Sequence, residues 1–235
     1  MSKKILVVVP AYNESSNIIN VIESIRVLHP NLSVLIINDC STDNTRELAQ
    51  SVEGTIVINL PINLGIGGAV QTGFKYALKN HFDILIRMDG DGQHDPRYIS
   101  VLITSLNEGN YDIVIGSRFL EKTGFQSSFF RRLGITIIQI FLKFFLRKNI
   151  TDSTSGFRSY SKKAISIFSR TYPDDFPEPE ELIFAKKRDL KIKEIPVEMK
   201  ERNSGVSSIK GLSSLYYMIK VLISLIIESV RRKNG

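Results

Sequence analysis

The sequence holds a single cysteine, Cys40, in 235 residues. No internal disulfide can form and no cysteine-based zinc framework can be assembled, a usage expected in a reducing compartment. The two longest apolar stretches, Leu133–Leu146 and Leu212–Val230, are interrupted by polar residues. Neither reaches the roughly 18 uninterrupted apolar residues that a membrane span needs. Met1-Ser2-Lys3-Lys4 leads straight into a short apolar strand ending at Pro10, without the length or cleavage pattern of a signal peptide. Internal repeats and low-complexity segments are absent. So is a Gly-x-Gly-x-x-Gly turn after the first strand, which sets aside a dinucleotide fold. The glycine-rich Asn63–Ala69 segment follows the third predicted strand, where it would suit a diphosphate at a helix N-terminus.

What is present is an uneven charge. Residues 1–117 carry 8 Lys/Arg against 12 Asp/Glu, whereas residues 118–235 carry 23 against 12. A basic half beside an acidic one points to an anionic partner such as nucleic acid, a phosphorylated lipid or an acidic bilayer surface, with a solvated basic face as the alternative. The long Ile/Phe/Leu runs, and the lack of aromatic residues interleaved with basic ones, argue against nucleic acid. Hydrophobic content of 43% and charged content of 23% are those of an ordinary globular chain.

Hydrophobic periodicity predicts strands over Lys4–Val9, Leu32–Asn38, Thr55–Leu60, Phe82–Met88 and Tyr111–Gly116. Helices are predicted between them: from Ser15 or Ser16 to about Leu28, from Thr42 or Asp43 to about Ser51, over Gly68–Lys79 and over Pro96–Asn107. This alternation implies βαβ units, hence an α/β fold with a mainly parallel central sheet flanked by helices. After residue 117 the rhythm changes. Leu133–Leu146 has Thr136, Gln139 and Lys143 at helical spacing, with Arg131, Arg132, Arg147 and Lys148 at its ends. Leu212–Val230 has Ser213, Tyr217, Lys220, Ser224 and Glu228 in a stripe, followed by Arg231, Arg232 and Lys233. Both read as amphipathic helices lying in a membrane interface, the alternatives being core helices or helices covered by a partner protein.

Acidic residues cluster at three predicted strand ends, where open parallel sheets bind ligands. Glu14 follows the first strand, Asp39 ends the second, and Asp89 and Asp91 follow the fourth in Asp89-Gly90-Asp91-Gly92-Gln93-His94. Alternate carboxylates in an extended turn can converge on a hard divalent cation, and the intervening glycine admits close approach. A lone acidic residue at a strand end is often a helix cap, and Asp43 reads as one.

Six ordered segments, PAYNE, NDCSTDNT, NLGIGGA, RMDGDGQHDP, GSRF and DSTSGFR, resemble family 2 glycosyltransferases with the GT-A fold. Within that family the pattern is most similar to the polyprenyl-phosphate sugar transferases, the dolichol-phosphate mannose synthase-like subgroup. The resemblance covers about residues 3–210. It implies that Pro10, Ala11, Tyr12, Glu14 and Asp39 hold the base and ribose of a nucleotide-sugar donor. Asp89, Gly90 and Asp91 would hold its ribose and diphosphate, with Asp89, Asp91 and Gln93 ligating Mg2+ or Mn2+. Arg118, Arg131 and Arg132 would grip an acceptor phosphate, and Arg202 would sit on a loop that closes over the donor; the plain alternative for each arginine is a surface ion pair of little worth. Glu180, at a helix start, is a candidate base for a hydroxyl acceptor or else a charge favoured by the helix dipole. Asp152 could instead orient the acceptor loop.

The expected organisation is a catalytic domain over residues 1–207, with an acceptor- and membrane-facing segment at 118–150, and an amphipathic membrane- or partner-associated helix at 208–235. The expected activity is inverting transfer of a hexosyl or N-acetylhexosaminyl group from a nucleotide-sugar, UDP-linked rather than GDP-linked, to polyprenyl phosphate. The expected setting is peripheral, on the cytoplasmic side of the cell membrane, with a small membrane protein as a possible partner. Transfer to a sugar hydroxyl of a lipid-linked glycan is the alternative within this class. A nucleotidyltransferase is the alternative outside it, and Pro10–Glu14 lacks the glycine-rich basic loop that such an enzyme would carry.

Overall fold

The computed structural model describes residues 3–121, 129–200 and 212–230, with the side chains of 129–137 and 212–219 outside that description. Arg202 therefore falls outside it, as do the side chains of Arg131 and Arg132.

Strands β1 (Ile5–Ala11), β2 (Ser33–Asn38), β3 (Ile56–Asn59), β4 (Ile84–Arg87) and β5 (Ile113–Ser117) alternate with helices α1 (Ile18–Leu28), α2 (Thr45–Ser51), α3 (Gly65–Lys79) and α4 (Tyr98–Glu108). The second half adds α5 (Phe129–Leu146), β6 (Arg158–Ser161), α6 (Lys162–Phe168), α7 (Pro177–Lys187), β7 (Ile192–Pro196) and α8 (Leu212–Val230). The strands form one sheet in the order β3-β2-β1-β4-β6-β5-β7. Every pairing is parallel except the two made by β6, which runs against β4 and β5. The mainly parallel α/β sheet expected from the alternation is present.

Both faces of the sheet are covered, which is why β1 and β2 are apolar at nearly every position. Val7, Val9, Ile36 and Ile86 face α1, α2 and α4, whereas Leu6, Val8, Leu35 and Leu85 face α3 and the helices of the second half. Helix α1 buries Ile18, Val21, Ile22 and Ile25, a stripe at helical spacing. Helix α3 lies close on the sheet because Gly73 has no side chain: a Cβ there would sit 2.5 Å from Val8 Cγ1. It begins at Gly65 rather than at the expected Gly68, since Gly65 with φ +72° already turns the chain into the helix.

The chain builds outward from β1 through β2 to β3, then returns to place β4 on the other side of β1. The order thus reverses between β1 and β4, and a crevice opens beyond their carboxyl ends.

The two long apolar stretches are helices, and each is divided. Ile138, Leu142 and Leu146 of α5 and Val221 and Leu225 of α8 are buried in the core beside α7. Part of each polar stripe points inward: Gln139 Nε2 donates to the Thr151 carbonyl, Ser224 Oγ donates to Glu180 Oε1, and Lys187 of α7 reaches Glu228. Lys143 and Lys220 stay exposed, and the outward face beside them carries large apolar side chains, with Phe144 87% exposed, Ile140 64% and Ile227 63%. Among the described residues no helix is long and apolar enough to cross a membrane.

Candidate active site at the switch point of the sheet

The crevice between β1 and β4 is a cleft of about 350 Å³ lined by Pro10, Ala11, Tyr12 and Glu14 after β1, Asp39 after β2, Ile66 and Ala69 of α3, and Asp89, Gly90 and Asp91 after β4. All three acidic strand ends singled out in the sequence open into one site, as do Pro10, Ala11, Tyr12 and Gly90. Tyr12 is half exposed at the rim. Asp39 is buried and fixed: its Oδ1 accepts from Leu64 N at 2.7 Å, and its backbone N donates to Ala11 O at 2.9 Å. The glycine-rich segment is thereby tied to the second strand end. Asp43 caps α2, its Oδ1 accepting from Thr45 N at 3.0 Å. The same carboxylate accepts from Ser15 N at 3.1 Å through Oδ2, which holds the Pro10–Glu14 turn in place.

Asp91 is held by Gln93 N, which donates to its Oδ1 at 3.0 Å. Asp89 keeps its side chain 34% exposed to the cleft and has charged neighbours behind it. Arg87 Nη2 lies 3.5 Å from its Oδ1, and His94 Nε2 lies 3.7 Å from its Oδ2. Asp89 N donates to His94 Nδ1 at 3.0 Å, so Nδ1 carries no proton and a neutral ring bears its hydrogen on Nε2, towards the carboxylate. The imidazole stacks on Phe157, ring centroids 4.9 Å apart. Gly156 lies against the carboxylate on another side, where a Cβ would come within 2.7 Å of both its oxygens. Burial alone would raise the Asp89 pKa, but His94, Arg87 and Arg118 together outweigh it and hold the group below the ordinary carboxylate value.

Among the described residues no three His, Cys, Asp or Glu side chains converge as a ready-made cation site. Asp89 and Asp91 offer hard carboxylate oxygens on one rim, so a cation held there would take its other ligands from the bound molecule and water, the usual arrangement for Mg2+ with phosphates. The donor set fits a divalent cation bridged to a diphosphate.

Gln93 stands beside this turn and is tied to the segment before Arg202. Its side-chain amide donates to Lys200 O at 3.3 Å, and its backbone carbonyl accepts from Lys200 N at 2.9 Å. With the His94–Met199 bridge, these contacts pin the chain beside the Asp-Gly-Asp turn two residues before Arg202.

Arg118 is engaged by Asp152. Nε donates to Oδ2 and Nη2 to Oδ1, both at 2.7 Å, while Nη2 also reaches Thr154 Oγ1 at 2.8 Å. Asp152 is completely buried, and the arginine pairing holds its pKa down against the upward push of burial. Glu194 of β7 accepts from Thr151 N and Asp152 N, fixing the same loop. Asp152 thus orients the residue expected to meet the acceptor.

Glu180 does not line the cleft. It is buried on α7, accepts from Ser224 of α8, and has its pKa raised by burial. Its neighbour Glu178 accepts from Arg87 and so connects to Asp89. Glu178, Arg87 and Gly156 carry no role in the pattern of motifs read from the sequence. The signal for Arg87 was a basic residue inside an otherwise apolar strand, FDILIRM.

A model of the glycosyl transferase family 2 matches residues 6–168. The chain is 32% identical over 217 residues to the UDP-N-acetylglucosamine–dolichyl-phosphate N-acetylglucosaminyltransferase of Methanococcus voltae, covering 83% of this chain and 85% of that one. It is 27% identical to the polyprenol monophosphomannose synthase of Mycolicibacterium smegmatis, covering 94% and 86%. In three dimensions it is similar to glucosyl-3-phosphoglycerate synthase of Mycobacterium tuberculosis, solved with Mn2+, uridine diphosphate and glucosyl-3-phosphoglycerate. The TM-score is 0.75 at 19% identity, covering 100% of this chain and 82% of that one. With its acidic strand ends gathered at the switch point of a GT-A sheet, and with that match over most of its length, the chain belongs to glycosyl transferase family 2.

Proposed function

We propose that the protein transfers a hexose or N-acetylhexosamine from a nucleotide-sugar to a polyprenyl phosphate, with inversion at the anomeric carbon, from a peripheral position on the cytoplasmic face of a membrane. The observation that carries this reading is the single cleft into which Glu14, Asp39, Asp89 and Asp91 open. Relatives named for dolichyl- and polyprenyl-phosphate transfer support the acceptor class. The structural neighbour solved with Mn2+ and uridine diphosphate supports the metal and a uridine donor.

Pro10–Glu14 and Asp39 would hold the base and ribose. Asp89 and Asp91 would carry Mg2+ or Mn2+ against the diphosphate, with Gln93 turning towards the site and Arg202 entering from the segment pinned at Lys200. When bound, the cation would neutralise charge building on the departing diphosphate. A phosphate oxygen of the acceptor attacks the anomeric carbon in line, and the bond from that carbon to the diphosphate breaks. The nucleoside diphosphate leaves with the electron pair. Such an acceptor is anionic at neutral pH, so the step needs positioning rather than a base. The placement of Glu180 against α8 supports this over a hydroxyl acceptor, which would require a carboxylate within reach. Arg118, presented by Asp152, and Arg131 and Arg132 are the basic residues assigned to the acceptor phosphate.

The deciding experiment incubates labelled UDP-glucose, UDP-N-acetylglucosamine and GDP-mannose separately with polyprenyl phosphate. One of them is expected to give a lipid product that mild acid cleaves, and chelation is expected to stop its formation. Transfer undiminished in chelator would remove the metal from the mechanism, and an extended glycan as the product would replace the acceptor.

The outward face of α5 and α8 supports membrane attachment. Gln139, Ser224 and Glu228 are turned into the protein, and Ile140, Phe144, Ile223, Ile226 and Ile227 face out beside exposed Lys143, Arg147, Lys148 and Lys220. Charging this face with Ile223→Glu and Ile227→Glu together is expected to weaken binding to phosphatidylglycerol vesicles at least about tenfold, since each burial forgone is worth on the order of 1.5 kcal/mol or more. Nucleotide binding should be unchanged. Vesicle binding equal to wild type would direct this face to a protein partner.

A further inference from the structure

We propose that Arg87, tethered by Glu178, positions the Asp89 carboxylate for the cation and donor diphosphate, an inference that rests on the donor-site reading above. Arg87 ends β4 and is almost wholly buried, on the same face of the strand as Asp89. Its Nη2 donates to Glu178 Oε1 in the first turn of α7 and stands 3.5 Å from Asp89 Oδ1. Its Nε and Nη1 are buried and have no hydrogen-bond partner among the described residues. Buried polar groups are ordinarily bonded, so an arginine left in this state needs a reason.

The neighbouring strand supplies the contrast. Arg158 of β6 lies directly opposite Arg87 and faces the same helix. Every nitrogen of its guanidinium is used: Nε on Ser155 O, Nη1 on Glu178 O and Glu181 Oε1, Nη2 on Ser153 O. That is how an arginine serving the fold alone is bonded. Arg87 directs its charge at two carboxylates instead, one in the cleft and one beneath it.

The long contact to Asp89 has a chemical consequence. A guanidinium locked bidentate onto Asp89 would occupy the oxygens that a cation needs. Glu178 draws Arg87 back, so the contact to Asp89 is long. Asp89 is aimed by the positive charge, and walled in by His94 and Gly156, while its oxygens remain open to a metal. Partners that orient metal-binding carboxylates in this manner tune metal affinity without touching the ion.

The test uses Arg87→Met, Glu178→Gln and the two combined. The combination removes both charges and leaves no buried ion unpaired, so its unfolding temperature without ligands is expected near that of wild type. Mn2+ binding is read from the spin-resonance signal of free Mn2+ in the presence of UDP, and in parallel GDP. The combined variant should bind Mn2+ about tenfold or more weakly, while metal-free nucleotide binding stays unchanged. Glu178→Gln alone should show a similar loss, because the released guanidinium then closes on Asp89, and it decides the matter if the combined variant does not fold. Wild-type Mn2+ affinity in a folded variant, or an equal loss of metal-free nucleotide binding, would reduce Arg87 to a part of the fold. A wild-type protein that binds no Mn2+ with either nucleotide would instead overturn the donor-site reading itself.

Discussion

Asp91→Ala should reduce kcat/KM for transfer about a hundred- to a thousandfold, the scale expected when a group stabilising transition-state charge is removed. The fold should hardly respond. Within the turn its carboxylate accepts from Gln93 N at 3.0 Å, and one such hydrogen bond contributes about 1 kcal/mol. Activity within tenfold of wild type in a folded protein would exclude Asp91 as a metal ligand. Asp89→Ala makes a less clean comparison, because it also leaves the buried Arg87 with Glu178 as its one remaining carboxylate. The two aspartates are therefore expected to lose activity alike and to differ in stability, which unfolding in urea would measure.

The first half of the fold was legible because period and burial agree there. Strands such as Ile5–Ala11 and Ser33–Asn38 are apolar on both faces, and the helices between them carry single stripes. The cleft followed from the same regularity: once strands are placed, their carboxyl ends and the acids behind them are placed too. The second half broke the rule. Strand β6 reads RSYS, and its buried residues are an arginine, a serine and a tyrosine, satisfied by partners up to 57 residues away. No local period announces a strand whose core is a charge network. Glu180 was chosen over Glu178 for a related reason. Both stand in the first turn of α7, and only the packing of that helix between β4 and α8 decides which carboxylate faces Arg87 and which faces Ser224. The polar stripe of α8 was visible, but that its Ser224 and Glu228 turn inward depended on Glu180 and Lys187 arriving from α7.

That charge network also sets the largest stability effect expected of a single substitution. Glu181 is completely buried, with Oε1 accepting from Arg158 Nη1 at 3.0 Å and Oε2 accepting from Tyr160 and Tyr172 hydroxyls at 3.0 and 2.6 Å. Burial would weaken the hold of Arg158 on its proton, and Glu181 more than reverses this. Glu181→Gln preserves the shape, removes the charge and turns an amide N–H2 towards groups that are themselves donors. Removing one partner of a buried pair typically costs about 3–5 kcal/mol, a large part of a domain's net stability of about 5–15 kcal/mol. Chemical unfolding of Glu181→Gln should show a loss of that size, and a loss below about 1 kcal/mol would mean that Arg158 is held by the backbone carbonyls alone. Replacing the pair by Arg158→Met and Glu181→Leu should recover only part of it, since two tyrosine hydroxyls then lose their acceptor; adding Tyr160→Phe and Tyr172→Phe should recover more. Because Arg158 also binds the carbonyls of Ser153 and Ser155, it holds the loop that brings Gly156 against Asp89. Variants restored in stability but lacking Arg158 are therefore expected to remain weak in metal-dependent nucleotide binding, which separates what the network does for the fold from what it does for the site.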